Sequence, residues 1–261
     1  MYEGIDMYVF KLGVSDLFQY LQSKLIECKY KFIRGKGFLY AKGTSEIMLV
    51  AHLDTVYKQP NKIFLHHNMM YSTTGLGADD RAGVACILNM LDRGFRPSVL
   101  FTDGEESGGT GAREFADNIK LDGIHLFVEI DRAGTKHFAY YTYELDEELE
   151  KYMLDVTGLE GKKGSFTDID VLTTEYGIQG CNIATGYYMN HTKEEYLLIK
   201  QYKEACNSVE NILVNPPEEV LKYDAEEDCA IAFDWSWWRK QEFPDWEPES
   251  TEGYKKEDWW K

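Results

Sequence analysis

Three apolar runs in this chain each end in a histidine or a carboxylate, and that pattern limits the fold more than any other feature. Ile47 to Ala51 runs into His52-Leu53-Asp54, Val99 to Thr102 into Asp103-Gly104-Glu105-Glu106, and Val128 to Ile130 into Asp131-Arg132. An apolar strand that runs into His-x-Asp delivers its histidine at the carboxyl edge of a sheet, where α/β proteins place their sites. The intervening segments read as helices. A helix is expected from near Ser15, with Leu17, Phe18, Leu21 and Leu25 on one face, and another over Asp80 to Leu91, apolar along Val84, Ile87, Leu88 and Leu91 and stopping at Gly94. Phe38 to Ala41, Ile47 to Ala51, Ser98 to Thr102, His125 to Ile130 and Cys181 to Thr185 are expected strands, with Lys42-Gly43-Thr44 turning between the first two. Helices are also expected from Gly111, around Glu144 to Leu154, and over Glu194 to Leu213, with a polar loop at Gly158 to Gly164. Strands alternating with helices predict an α/β sandwich around a mostly parallel mixed sheet.

Composition narrows the function classes. A chain of 261 residues is long enough for one domain with a substantial core. Its formal net charge of −17 argues against nucleic acid as a partner, because phosphate binding requires a basic face. No apolar stretch approaches the length of a membrane span, so no membrane partner is expected. The N-terminus shows no basic start followed by an apolar run, and Cys28, Cys86, Cys181, Cys206 and Cys229 are scattered without a CxxC pair. Both features fit reduced thiols in a cytoplasmic protein.

The chemistry-bearing residues are those at the strand ends and two later motifs. His52 needs an acceptor for its second ring nitrogen to act as a metal ligand, and Asp54 is placed to supply one. In Gly75-Leu76-Gly77-Ala78-Asp79-Asp80-Arg81-Ala82-Gly83, glycines allow close backbone approach, and a carboxylate at the mouth of a helix can bridge two cations. That carboxylate also has a plainer reading as a helix cap. Of the adjacent Glu105 and Glu106, one can ligate a metal while its neighbour takes a proton from water. Asp131 ends a strand, and His191 lies in Asn190-His191-Thr192 before the last helix. Each motif alone has a structural explanation. Together, two histidines and three carboxylates give each of two metals one histidine, one terminal carboxylate and a shared bridge. Nitrogen and oxygen ligands without thiolate fit zinc, with cobalt or manganese as alternatives.

His52-Leu53-Asp54-Thr55-Val56, Gly77-Ala78-Asp79-Asp80-Arg81-Ala82-Gly83 and Glu105-Glu106 resemble, in order, the signatures of the co-catalytic di-zinc exopeptidases. That superfamily includes the leucyl-type zinc aminopeptidases, the tetrahedral aminopeptidases and the peptidase T tripeptidases. Thr167-Asp168 and Asn190-His191-Thr192 resemble later elements of the tetrahedral branch, and the likeness runs roughly from Ile47 to Leu198. It implies the three-layer zinc-exopeptidase (phosphorylase/hydrolase-like) fold. It further implies that Asp79 bridges, that His52 and Asp131 complete one metal and Glu106 and His191 the other, and that the Asp79–Asp80 bond is cis. Glu105 would be the general base and Asp54 the partner of His52. Only 60 positions separate Asp131 from His191, too few for the dimerisation domain of peptidase T relatives as well as the core. Only 27 separate His52 from Asp79, too few for the lid of the tetrahedral branch. Tyr187 or Tyr188 is a candidate oxyanion donor, with packing the plainer role, and Asp168 a candidate for orienting the site or a substrate amine.

The expected activity is hydrolysis of a peptide or small amide, as an exopeptidase and in first place an aminopeptidase. An amidase or deacylase acting on N-acylated small molecules would use the same ligands. A non-catalytic binding protein on the same fold is the reading from another class, and the presence of all five ligands with Glu105 argues against it. The catalytic domain is expected over residues 1–223. The acidic segment 224–261 holds all six tryptophans and is a candidate protein-binding tail. Every candidate site residue precedes it. A chain ending at Asp224 is therefore expected to keep its metal content and turnover, even if its melting temperature falls. A well-folded, metal-replete truncation without activity would place a tail residue in the site.

Overall fold

The computed structural model describes residues 4–57, 62–225 and 228. After a 3-10 turn at Val9–Lys11, helix α1 (Val14–Glu27) buries Leu17, Phe18, Leu21 and Leu25, the stripe that their spacing predicts. Strands β1 (Phe32–Gly35), β2 (Phe38–Ala41) and β3 (Ile47–His52) follow, then β4 (Phe64–His66) and β5 (Met69–Tyr71). Next come α2 (Ala78–Asp92), β6 (Ser98–Thr102), α3 (Thr110–Asn118), β7 (Leu126–Arg132) and β8 (His137–Tyr140). The later elements are α4 (Glu147–Thr157), β9 (Glu160–Lys163), α5 (Asp168–Tyr176), β10 (Gly180–Ala184), β11 (Tyr187–Tyr188), β12 (Tyr196–Leu198) and α6 (Ile199–Val214).

Eight strands form the main sheet in the order β1-β2-β6-β3-β7-β10-β8-β9. Its centre, β6-β3-β7-β10, is parallel, and antiparallel pairings flank it at β1/β2, β2/β6 and β10/β8. β3 is buried along its whole length, as a central strand covered on both faces must be. Its side chains alternate between two cores. Ile47, Leu49 and Ala51 join the larger core with α1, α2, α4 and α6, while Met48 and Val50 join the smaller one with Ala112 and Phe115 of α3 and Ile169 and Leu172 of α5. The result is the expected three-layer sandwich around a mostly parallel mixed sheet. Among the described residues no helix is long and apolar enough to cross a membrane.

Lys42-Gly43-Thr44 lies in the connection between β2 and β3, which β6 separates in the sheet. Two local expectations are corrected. Gly158 to Gly164 is not simply a loop. Residues Glu160–Lys163 form edge strand β9 beside β8, and an edge strand with exposed lysines carries no apolar signal. The last helix begins at Ile199 rather than Glu194, since Tyr196–Leu198 pairs with β5. That pairing builds a second sheet, β11-β12-β5-β4, whose short strands the sequence does not announce. The tryptophan-rich tail lies outside the described residues, apart from 224, 225 and 228.

α3 comes close to the loop after β6 because residue 111 is glycine. A Cβ there would meet the carbonyl of Gly37 and the backbone N and O of Asp103. Backbone cannot yield as a side-chain tip can, so Gly111→Ala is expected to cost about 1–3 kcal/mol. The check is a thermal melt, in which the midpoint should fall by several degrees for a domain of this size. An unchanged midpoint would mean that the loop moves freely.

Candidate active site

The carboxyl edge of the parallel strands gathers the candidate residues. His52 ends β3 and Asp131 lies near the end of the neighbouring β7, so hydrogen-bonded strands fix their separation. His52 Nε2 is 3.6 Å from Asp131 Oδ2 and 3.0 Å from Asp79 Oδ1. The other oxygen of Asp79, Oδ2, lies 3.2 Å from His191 Nε2, which is 3.0 Å from Glu106 Oε1. Asp79 thus turns one oxygen to each histidine. In each of the trios His52–Asp79–Asp131 and Asp79–Glu106–His191 the candidate ligand atoms all lie within 4.8 Å of one another. The two halves differ in exposure. The His52 side chain is fully buried and that of His191 is 50% exposed.

Asp79 sits where α2 is not yet helical. Asp79 and Asp80 have non-helical backbone angles and are joined by a cis peptide bond, as the resemblance implies. Buried Asp80 accepts hydrogen bonds from the His52 N–H at 3.2 Å and the Gly83 N–H at 2.9 Å, tying α2 to the end of β3. A Cβ on Gly83 would run into the Asp80 carboxylate and the Ile130 carbonyl, which accounts for the glycine.

Asp54 does more than face a histidine. Its Oδ1 lies 3.4 Å from His52 Nδ1, whose nearest acceptor is the Asp54 carbonyl at 3.1 Å. Oδ1 accepts from the Gly104 N–H at 2.9 Å and the Glu105 N–H at 3.3 Å, and Oδ2 from the Glu106 N–H at 3.2 Å. One carboxylate therefore positions both the histidine and the glutamate loop.

Two supporting residues escape a reading of the sequence. Glu195 is 1% exposed and accepts from the Gly77 N–H at 2.5 Å and the Asp79 N–H at 3.1 Å, pinning the Asp79 backbone. Its position within a run that reads as helix hides that role. Burial pushes its carboxyl up to about 7, against the pull of the backbone donors. Asn182 on β10 accepts from the Asp131 N–H at 2.7 Å and donates to the Asp131 carbonyl at 3.0 Å. Asn190, inside a motif already singled out, donates to Asp79 Oδ2 at 3.0 Å.

Glu105 lines the same cavity as Asp79, Glu106, Asp131 and His191. Burial pushes its carboxyl up to about 7; His52 opposes the shift, and the Asp168, Glu106 and Asp79 charges add to it. Asp168 is fully buried, accepts a hydrogen bond from Thr102 Oγ1 and leaves Oδ1 without a partner. It does not line the cavity, which places it behind the site. The Tyr188 hydroxyl donates to Gln201 at 2.7 Å and is not among the cavity-lining groups, whereas Tyr187 lines the cavity and donates to Asp131 Oδ1 at 3.0 Å.

The donor set fits a pair of divalent cations. Asp79, Glu106 and Asp131 bring like charges together, a crowding that divalent cations between them would relieve. A single His52 Nε2–H cannot serve two carboxylates fully, and Glu106 Oε1 is buried without a hydrogen-bond partner despite the nearby His191 nitrogen. Nitrogen and carboxylate donors without thiolate suit zinc, cobalt or manganese. Asp54→Asn keeps the shape of the side chain but removes the charge facing His52. It is expected to weaken zinc binding about 10–100-fold. Titration against a competing chelator checks this, and unchanged affinity would show that the carbonyl of residue 54 alone orients His52.

Comparison with known proteins follows the same line. The sequence profile of peptidase family M28 matches residues 39–196. No curated protein matches the chain. Among solved structures, aminopeptidase PepT from Bacillus cereus ATCC 10987 superposes with a TM-score of 0.66 at 14% identity, over 79% of this chain and 95% of that one. A tripeptidase from Staphylococcus aureus subsp. aureus Mu50 gives 0.64 at 17% identity, over 79% and 95%. An aminopeptidase from the archaeon Desulfurococcus kamchatkensis gives 0.65 at 13% identity, over 81% and 94%. These likenesses are of fold. The profile match spans more than half of the sequence and ties the fold to an ancestry: the chain belongs to peptidase family M28 and is a metal-dependent peptidase.

Proposed function

We propose that the chain is an exopeptidase, in first place an aminopeptidase, that hydrolyses peptides with two divalent ions and Glu105 as general base. The observation that carries this reading is the Asp79 carboxylate, with one oxygen facing His52 and the other facing His191. His52 and Asp131 would hold one ion and Glu106 and His191 the other, with Asp79 shared and zinc the favoured metal. When bound, such a pair polarises the scissile carbonyl and lowers the pKa of water towards 7.

The chain's own residues do the rest. Glu105 takes the proton of the attacking water and passes it to the leaving amine, a task suited to a carboxyl that lines the cavity beside the proposed ligands without being one of them. Asp54 keeps His52 and the Gly104 to Glu106 backbone in register with each other. Tyr187, bonded to Asp131, serves that carboxylate rather than the reacting carbonyl. The tryptophan-rich tail is proposed as a protein contact outside this chemistry.

Glu105→Gln is expected to keep the fold and both ions while losing at least two decades of kcat, since general-base assistance is worth about 10²–10⁴ in rate. Glu106→Gln should weaken metal binding instead, and Asp79→Ala should lose both ions together. Metal analysis and turnover on the same preparations test all three. Near-normal turnover by Glu105→Gln assigns the base elsewhere, and a parent protein that saturates with one ion rules out the pair.

A further inference from the structure

The strand that carries Asp131 also delivers Arg132 to the cavity. Successive residues of a regular strand face opposite sides of the sheet, and the pleat of β7 is interrupted between Glu129 and Arg132. The register shows it. β7 pairs Glu129 with Asn182 and Arg132 with Ala184, so three steps along β7 match two along β10. A bulge of this kind re-aims a side chain. The Asn182 amide bonds to both the N–H and the carbonyl of Asp131, so the bulge is braced on each side.

Arg132 is the only lysine or arginine among the described residues lining this cavity. Asp131, Glu105 and Glu106 line it too, yet among the described residues the guanidinium makes no ion pair or hydrogen bond. Beside it is Tyr141, whose hydroxyl accepts from Asn182 Nδ2 at 3.2 Å and so keeps its own proton to donate. A guanidinium stays charged and offers a planar fork of donors that matches a carboxylate. The cavity volume is about 320 Å³, at the small end of ligand sites.

We propose that Arg132, with Tyr141, binds the free C-terminal carboxylate of a short peptide, so that the substrates are dipeptides and tripeptides rather than long chains. This rests on the peptidase reading and names the substrate class of the same site. A carboxylate held one or two residues beyond the scissile bond measures the length of the peptide, and a long chain has no charge to offer at that point.

The test uses the full zinc-loaded chain, a panel of X-Gly dipeptides, the same peptides as C-terminal amides, and N-acetyl amino acids. A charge-assisted hydrogen bond of this type corresponds to about 10–100-fold in kcat/KM, which is the expected preference for acid over amide. In Arg132→Gln the acid-to-amide ratio should fall to near one, and Arg132→Lys should restore part of it. Metal content and thermal melts show whether the variants are folded and loaded. Calorimetric titration of acid and amide into zinc-loaded Glu105→Gln protein gives a second readout, with the acid expected to bind more tightly in an Arg132-dependent way. Equal use of acids and amides by the parent, or an acid-to-amide ratio unmoved in folded Arg132→Gln, overturns the proposal while peptide hydrolysis itself stands. Cleavage of N-acetyl amino acids but not dipeptides overturns the substrate class. Absence of any peptide hydrolysis, with Arg132-dependent binding of the acid intact, sinks the peptidase reading and leaves the carboxylate contact standing.

Discussion

Like charges held close together are the constraint around which this fold is organised. Asp79, Asp131 and Glu106 converge on a small volume at one sheet edge, with His52 and His191 between them. Carboxylates do not gather there unaided. Hydrogen-bonded strands fix His52 against Asp131, the irregular start of α2 fixes Asp79, and the glutamate loop rests on Asp54. The apolar cores on both faces of the sheet supply the favourable free energy that offsets this crowding.

Several carboxylates near the site are structural in effect. Asp54, Asp80 and Glu195 each accept two or more backbone N–H groups and each holds one piece of the constellation. Except for Gly83, whose N–H reaches Asp80 within one turn, their donors come from far along the chain, up to 118 positions away for Glu195 and Gly77. An acid used this way converts a flexible loop into a fixed platform, because moving the loop would strand a buried carboxylate without its donors. That explains why so acidic a region surrounds chemistry that needs only a few acids.

The parts legible in the sequence were those in which chemistry and local pattern coincide. His52, Glu105, Glu106 and Asp131 follow apolar strands, and Gly77 to Gly83 carries its own signature. The central strands and α1 were legible for the same reason, since burial on both faces or along one stripe leaves a periodic mark. What stayed hidden depends on distant partners. Glu195 reads as one more helical glutamate until Gly77 is beside it, and Asn182 as one polar residue in a strand until the bulge of β7 appears. β9 is held by backbone pairing at an edge and has no apolar face to betray it. Arg132 was visible as a letter, but the pleat rule would have turned it away from Asp131.

The second sheet ties together segments that the linear order keeps apart. β12 pairs with β5 just ahead of Asp79, and β11 pairs with β12 just ahead of His191. The buried histidine therefore belongs to the main sheet, and the half-open one hangs from this smaller, separate one. Met70 and Leu197 of the small sheet are fully buried in the larger core, so it too is fastened to the body of the domain. What differs is access: solvent reaches the cluster from the His191 side and not from the His52 side, so exchange, whether of ion, product or inhibitor, has a built-in direction.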